Sequence, residues 1–171
     1  PNIKEVQQGT TTTISSFDEQ GAEQVDKIIE NKGLPIEKTT EFTYNDDGTT
    51  TSQISEFGKE TTLITGQDGN PISEHIEQDN GTITDREYDE FGAFAETLLE
   101  SNGNKTETQY SSEGNPITQH VEKNDGAVID RNWDETGAYN EHIVESNGNE
   151  TQTEFNSNGK KLSQTKTVDG K

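Results

Sequence analysis

The chain has 171 residues, 34 of them acidic and 13 basic, for a net charge of −21. Such a surface repels nucleic-acid phosphates and anionic membranes, and it leaves cations, cationic partners or simple solubility open. Cysteine is absent, which excludes disulfides and thiolate metal sites. No run approaches the ~18 apolar residues of a membrane-spanning helix, so neither a nucleic-acid partner nor membrane insertion is expected.

A hydrophobic content of 23% beside that charge is the composition of a disordered chain. The pattern overrules it. Starting at Gly9, glycine returns roughly every eleven or twelve residues, at Gly21, Gly33, Gly48, Gly58, Gly69, Gly81, Gly92, Gly103, Gly114, Gly126, Gly137, Gly148, Gly159 and Gly170, with only Gly66 outside the series. Turn formers precede many of them, as in Asp46-Asp47-Gly48, Asp79-Asn80-Gly81, Ser101-Asn102-Gly103, Asn124-Asp125-Gly126 and Ser146-Asn147-Gly148. Asn-Gly and Asp-Gly accept the positive φ angles of tight hairpin turns. Between the turns lie runs of about seven residues rich in Thr, Ile, Val and aromatics, the length and content of strands. The expectation is all-β: about fourteen strands in tandem hairpins of ~22 residues, forming an elongated antiparallel meander, single-layered or spiralling, with no thick core.

In chain order, residues 1–64 form the irregular first units. Val25, Ile28 and Ile29 have the spacing of one helical face. Gly21 and Gly33 keep the turn interval, however, and Leu34-Pro35-Ile36 ends any helix, so a strand pair is the favoured reading. Two 45-residue copies follow, residues 65–109 and 110–154, which align without a gap and are identical at nearly half their positions. Gly69-Asn70-Pro71-Ile72 matches Gly114-Asn115-Pro116-Ile117, and Asp85-Arg86 matches Asp130-Arg131. Residues 155–171 make a terminal hairpin, and the whole reads as a single array over 1–171. An aromatic closes every second strand, at Phe17, Tyr44, Tyr88, Tyr110, Trp133 and Phe155, with Thr65 in the exceptional unit. Alternate strands of a meander end at the same edge, so these side chains are expected in file along one rim, ~10 Å apart.

Phe17-Asp18-Glu19-Gln20-Gly21, Tyr88-Asp89-Glu90-Phe91-Gly92 and Trp133-Asp134-Glu135-Thr136-Gly137 resemble the Tyr-Asp-x-x-Gly core of YD repeats, found in bacterial Rhs-type proteins, wall-associated proteins and teneurins. The arginine that commonly follows the motif glycine is replaced by Ala22, Ala93, Asn115 and Ala138, and two motif positions read Tyr110-Ser111 and Phe155-Asn156. The resemblance implies an extracellular or cell-surface β-scaffold, bacterial in kind, serving as a structural or adhesion surface without catalysis of its own. The chain is also similar in style to the single-layer sheets of spirochaetal outer surface lipoproteins, which are lysine-rich where this chain is acidic.

No catalytic set stands out, so no enzyme is expected; carboxylate pairs could be drawn anywhere in so acidic a chain. His75 and His120 occupy equivalent repeat positions and His142 another. They read as solvated strand residues or as weak ligands for a transition metal. Asp46, Asp47, Asp79 and Asp125 offer hard oxygen ligands of the kind calcium prefers, although turn chemistry alone accounts for them. The expected partner is a protein, a glycan or another copy of the chain. Two alternatives to the scaffold remain: a filament or surface-layer subunit joined through open edge strands near residues 2–8 and 160–167, and a calcium-dependent binding module.

Overall fold

The computed structural model describes residues 2–168, and Gly170, the last glycine of the series, lies outside them. Fifteen strands and no helix are found among the described residues. That is one strand more than the sequence suggests, because the glycines from Gly9 to Gly159 are turns between strands. The chain divides into two compact units, Pro1–Gly81 and Thr82–Lys171. The first holds β1 (Ile3–Gln8), β2 (Thr11–Phe17), β3 (Glu23–Glu30), β4 (Lys38–Tyr44), β5 (Thr50–Glu56), β6 (Lys59–Thr65) and β7 (Pro71–Gln78). The second holds β8 (Ile83–Tyr88), β9 (Phe94–Leu99), β10 (Lys105–Tyr110), β11 (Pro116–Glu122), β12 (Val128–Trp133), β13 (Tyr139–Val144), β14 (Glu150–Phe155) and β15 (Lys161–Thr167). Within each unit every strand pairs antiparallel with the strand before it, a meander. The segment with helical spacing is strand β3, paired to β2 and β4.

The turns follow from their residues. At Asp89 the backbone N–H donates to the carbonyl of Ala93 (2.8 Å), and Gly92 N–H donates back to the Asp89 carbonyl (3.1 Å). The same pair of bonds recurs in the turns that begin at Asp18, Asn45, Glu100, Ser111, Lys123, Asp134, Glu145 and Asn156. Such a turn places its fourth residue in the left-handed region, where Gly92 (φ +86°) sits without the penalty a Cβ brings. The Asp side chain supplies the rest: Asp89 Oδ1 accepts the N–H groups of Phe91 (2.8 Å) and Ala93 (2.9 Å). The Tyr-Asp-x-x-Gly motif is therefore a strand end, a carboxylate that ties the turn and a residue with positive φ. Gly66 takes the Asp place in its own turn, with Gly69 closing it, which is why it stands outside the series.

Beside an isolated register shift between Ile14 and Ser15, three β-bulges fall between Ile64 and Thr65, Gln109 and Tyr110, and Glu154 and Phe155. Their 45-residue spacing is the long repeat. Opposite them stand Pro71, Pro116 and Lys161, each the first residue of its strand; proline has no N–H to offer a ladder and is tolerated at that place.

Among the described residues no second layer covers the strands within either unit, and the burial shows it. Ala127 and Ile129 are the buried hydrophobic residues among those described, while Thr12, Ser15, Ser52, Thr61, Thr84, Thr108 and Thr153 are the buried polar ones. Short hydroxyl side chains in mid-strand are covered by longer neighbours on adjacent strands. Thr108, 3% exposed, lies opposite Glu96 on β9 and Gln119 on β11.

Candidate functional site

The second unit carries three rows of side chains across one face of β8–β15, fixed by register. The rim row runs Tyr88, Phe94, Tyr110, then Ile117, then Trp133, Tyr139, Phe155. Phe94 and Tyr139, absent from the expected file, fill the places between its members. Tyr88 and Phe94 have ring centroids 5.2 Å apart, and Phe94 stacks on Tyr110 at 4.5 Å. Forty-five residues on, Trp133 and Tyr139 are 5.4 Å apart and Tyr139 stacks on Phe155 at 4.5 Å. Each triad is a continuous set of cross-strand aromatic pairs. Phe17 and Tyr44 end β2 and β4 in the first unit, where no such stack is found among the described residues; the Tyr44 hydroxyl instead donates to the Val25 carbonyl (2.9 Å).

The middle row is polar and hydrogen-bonded. Gln119 Nε2 donates to Thr108 Oγ1 (3.1 Å), Arg131 donates to Gln119 Oε1 (2.6 Å), and the same guanidinium reaches Glu141 Oε2 through Nε (2.8 Å) and its terminal nitrogen (2.7 Å). Arg86 donates to Glu96 in the equivalent place of the earlier copy (2.8 Å), and Gln164 to Thr153 in the later one (3.2 Å). The third row carries Leu98, Thr106, Val121, Ile129 and Ile143.

The opposite face of the same strands places Glu107, His120, Asp130 and His142 side by side. His120 Nδ1 lies 2.6 Å from Asp130 Oδ1, and its Nε2 lies 3.5 Å from Glu122 Oε1. The Asp130 carboxylate raises the His120 pKa above the ordinary imidazole value; burial opposes it, and Glu122 adds a lesser upward push. His142 pairs with Glu150 (3.1 Å), and His75, in the first unit, with Glu77 (3.0 Å). Lys105 and Glu107 form a pair (2.6 Å) that raises the lysine pKa and lowers that of the glutamate.

The turn carboxylates belong to separate turns, Asp46 and Asp47 sharing one. Asp46 and Asp47 lie in the β4–β5 turn, at the opposite strand ends from Asp79 after β7, and Asp125 belongs to the β11–β12 turn of the second unit. Asp47 Oδ1 accepts from the Thr49 hydroxyl (2.7 Å) and N–H (2.9 Å), which lower its pKa in that order. Asp125 accepts from Ala127 N–H (2.9 Å). No group of three or more metal-ligating side chains converges among the described residues. Gly48, Gly103, Gly126, Gly137, Gly148 and Gly159 likewise serve their own hairpins, as does Gly92, and the Gly81 N–H donates to the Gln78 carbonyl in the turn after β7 (2.8 Å).

Adjacent turn tips are also bonded: Asn124 N–H donates to Asn104 Oδ1 (3.0 Å) and Asn124 Nδ2 to the Asn102 carbonyl (2.9 Å). No protein-family model matches the chain, and no curated protein matches it.

Proposed function

We propose that the chain is a non-enzymatic β-repeat scaffold of the YD-repeat kind, extracellular and bacterial, presenting a structural or adhesion surface. The observation that carries this reading is where the repeated residues sit. The Asp of each Tyr-Asp-x-x-Gly motif ties a turn, and Arg86/Arg131 with Glu96/Glu141 form rungs between strands. Side chains retained between copies in this way serve to make more sheet, the economy of a spacer. The test is brief protease treatment of intact source cells followed by peptide mass spectrometry. Peptides of this chain released while a cytoplasmic marker stays inside are the expected result; release only after lysis overturns the location and with it the adhesion role.

A second reading, a self-associating subunit, is favoured by the full exposure of β1 and β15 along their lengths. Lys161 and Lys166 on β15 oppose it, since edge lysines discourage pairing with another strand. Light scattering over a concentration series separates the two: a strict monomer removes the subunit reading.

A further inference from the structure

The rim row of the second unit is interrupted once. Between the triads, β11 contributes Ile117, an aliphatic side chain 45% exposed, where its neighbours contribute rings. The β10–β11 and β12–β13 turns rise on either side of this place and enclose a groove of about 510 Å³. Its apolar part is Pro116, Ile117 and the half-buried indole of Trp133. Its walls carry Glu113, Asp134 and Glu135, and no basic side chain lines it.

From this arrangement we infer that the groove is a docking site for an extended basic segment of a partner protein, in which Arg or Lys alternates with apolar residues. The apolar floor takes the aliphatic side chain. A guanidinium laid over the Trp133 indole gains cation–π attraction while the surrounding carboxylates accept its N–H groups. Asp134 is already engaged, its Oδ1 accepting the Thr136 hydroxyl (2.7 Å) and N–H (2.8 Å) and the Ala138 N–H (3.1 Å), so it stays in place as a fixed anion. Glu113 and Glu135 are the adjustable pair. Strands two apart lie ~10 Å from each other, which admits one extended chain between the turn tips and no second sheet. The charge of −21 draws cationic segments toward this surface in general; the groove adds the place where one of them is held. This rests on the adhesion reading and names the chemistry of its partner.

Trp133 is the chain's one tryptophan, so its fluorescence reports the groove directly. The full chain is titrated with a blocked Arg-Leu-Arg-Leu-Arg peptide, its citrulline counterpart, and a neutral β-linked glucan oligosaccharide. Expected are a saturable change with the arginine peptide alone, and affinity at least tenfold weaker in Glu113→Gln/Glu135→Gln and in Ile117→Asp. Glu19→Gln/Glu37→Gln, which removes the same charge elsewhere, is expected to leave affinity within twofold. The inference is overturned by no saturable change, by equal weakening in both double variants, or by preference for the oligosaccharide. It is also overturned if Trp133 responds to the chain's own concentration and Lys160→Glu/Lys161→Glu abolishes that response, since the occupant is then a second copy. The surface-proteolysis result is independent, so a failure here leaves the scaffold reading to stand or fall by itself.

Discussion

Tyr139 stacks on Phe155 with centroids 4.5 Å apart and planes 14° from parallel. Phe94 and Tyr110, one long repeat earlier, adopt the same relationship at 4.5 Å and 17°. Where no second layer buries the face, such pairs replace a core.

Tyr139 touches two rings, and its removal breaks the second triad in the middle. Tyr139→Ala is expected to lower unfolding free energy by about 2 kcal/mol, less than for a fully buried aromatic because the ring is half-exposed. Tyr139→Phe is expected to change it little. Urea denaturation followed by Trp133 fluorescence measures both, and an alanine effect under about 0.5 kcal/mol contradicts the role of the stack.

Arg131 joins three strands through Gln119 and Glu141, and the Glu141 side chain is only 14% exposed. Arg131→Met leaves that carboxylate without its cation and is expected to cost about 1–2 kcal/mol. Adding Glu141→Leu is expected to recover most of the loss. Additive losses in the double-mutant cycle show the rung to be energetically idle.

His120 is raised by Asp130, so its folded pKa lies above its unfolded one. The stabilising contribution is fully present below the unfolded value, about 6.5, and is lost as pH rises through the folded pKa. The stability difference between the wild type and His120→Gln is therefore expected to shrink on going from mildly acidic to mildly alkaline pH. An NMR titration of His120 that falls at or below the ordinary imidazole value contradicts this.

Gly103 has φ +89° in the β9–β10 turn, a conformation L side chains rarely adopt. Gly103→Ala is expected to destabilise by about 1–2 kcal/mol. Thermal unfolding reads the change, and an unshifted midpoint argues that the turn relaxes instead.

Asp47 and Asp125 use their carboxylates within their own turns. Millimolar calcium at constant ionic strength is expected to leave the melting temperature nearly unchanged. A clear rise favours the calcium-dependent module.

Strands and turns were legible in the sequence because both are local: Asn and Asp before glycine specify the hairpin, and Thr-rich runs between them specify the strand. The side-chain rows were not. Phe94 and Tyr139 begin strands rather than end them, and their place beside Tyr88 and Trp133 depends on the five-residue connection between paired strands. Their shared distance of six residues from the preceding aromatic was the available signal. Gln119 and Arg131 meet only through the register of β11 with β12. Each bulge shifts the register of its own strand pair by one residue, β10 with β11 and β14 with β15, and nothing in Gln109-Tyr110 or Glu154-Phe155 by itself marks a bulge. The rim groove depends on the same register, since it places Ile117 between two aromatics.

Strand pairing between chain neighbours has a consequence for biogenesis. Within each unit a strand finds its partner in the segment made immediately before it, so closing a hairpin never waits for distant residues. A chain emerging from a ribosome can add hairpins in the order they appear. Each newly formed edge is then the template for the next strand, and synthesis and assembly can proceed in one direction along the chain.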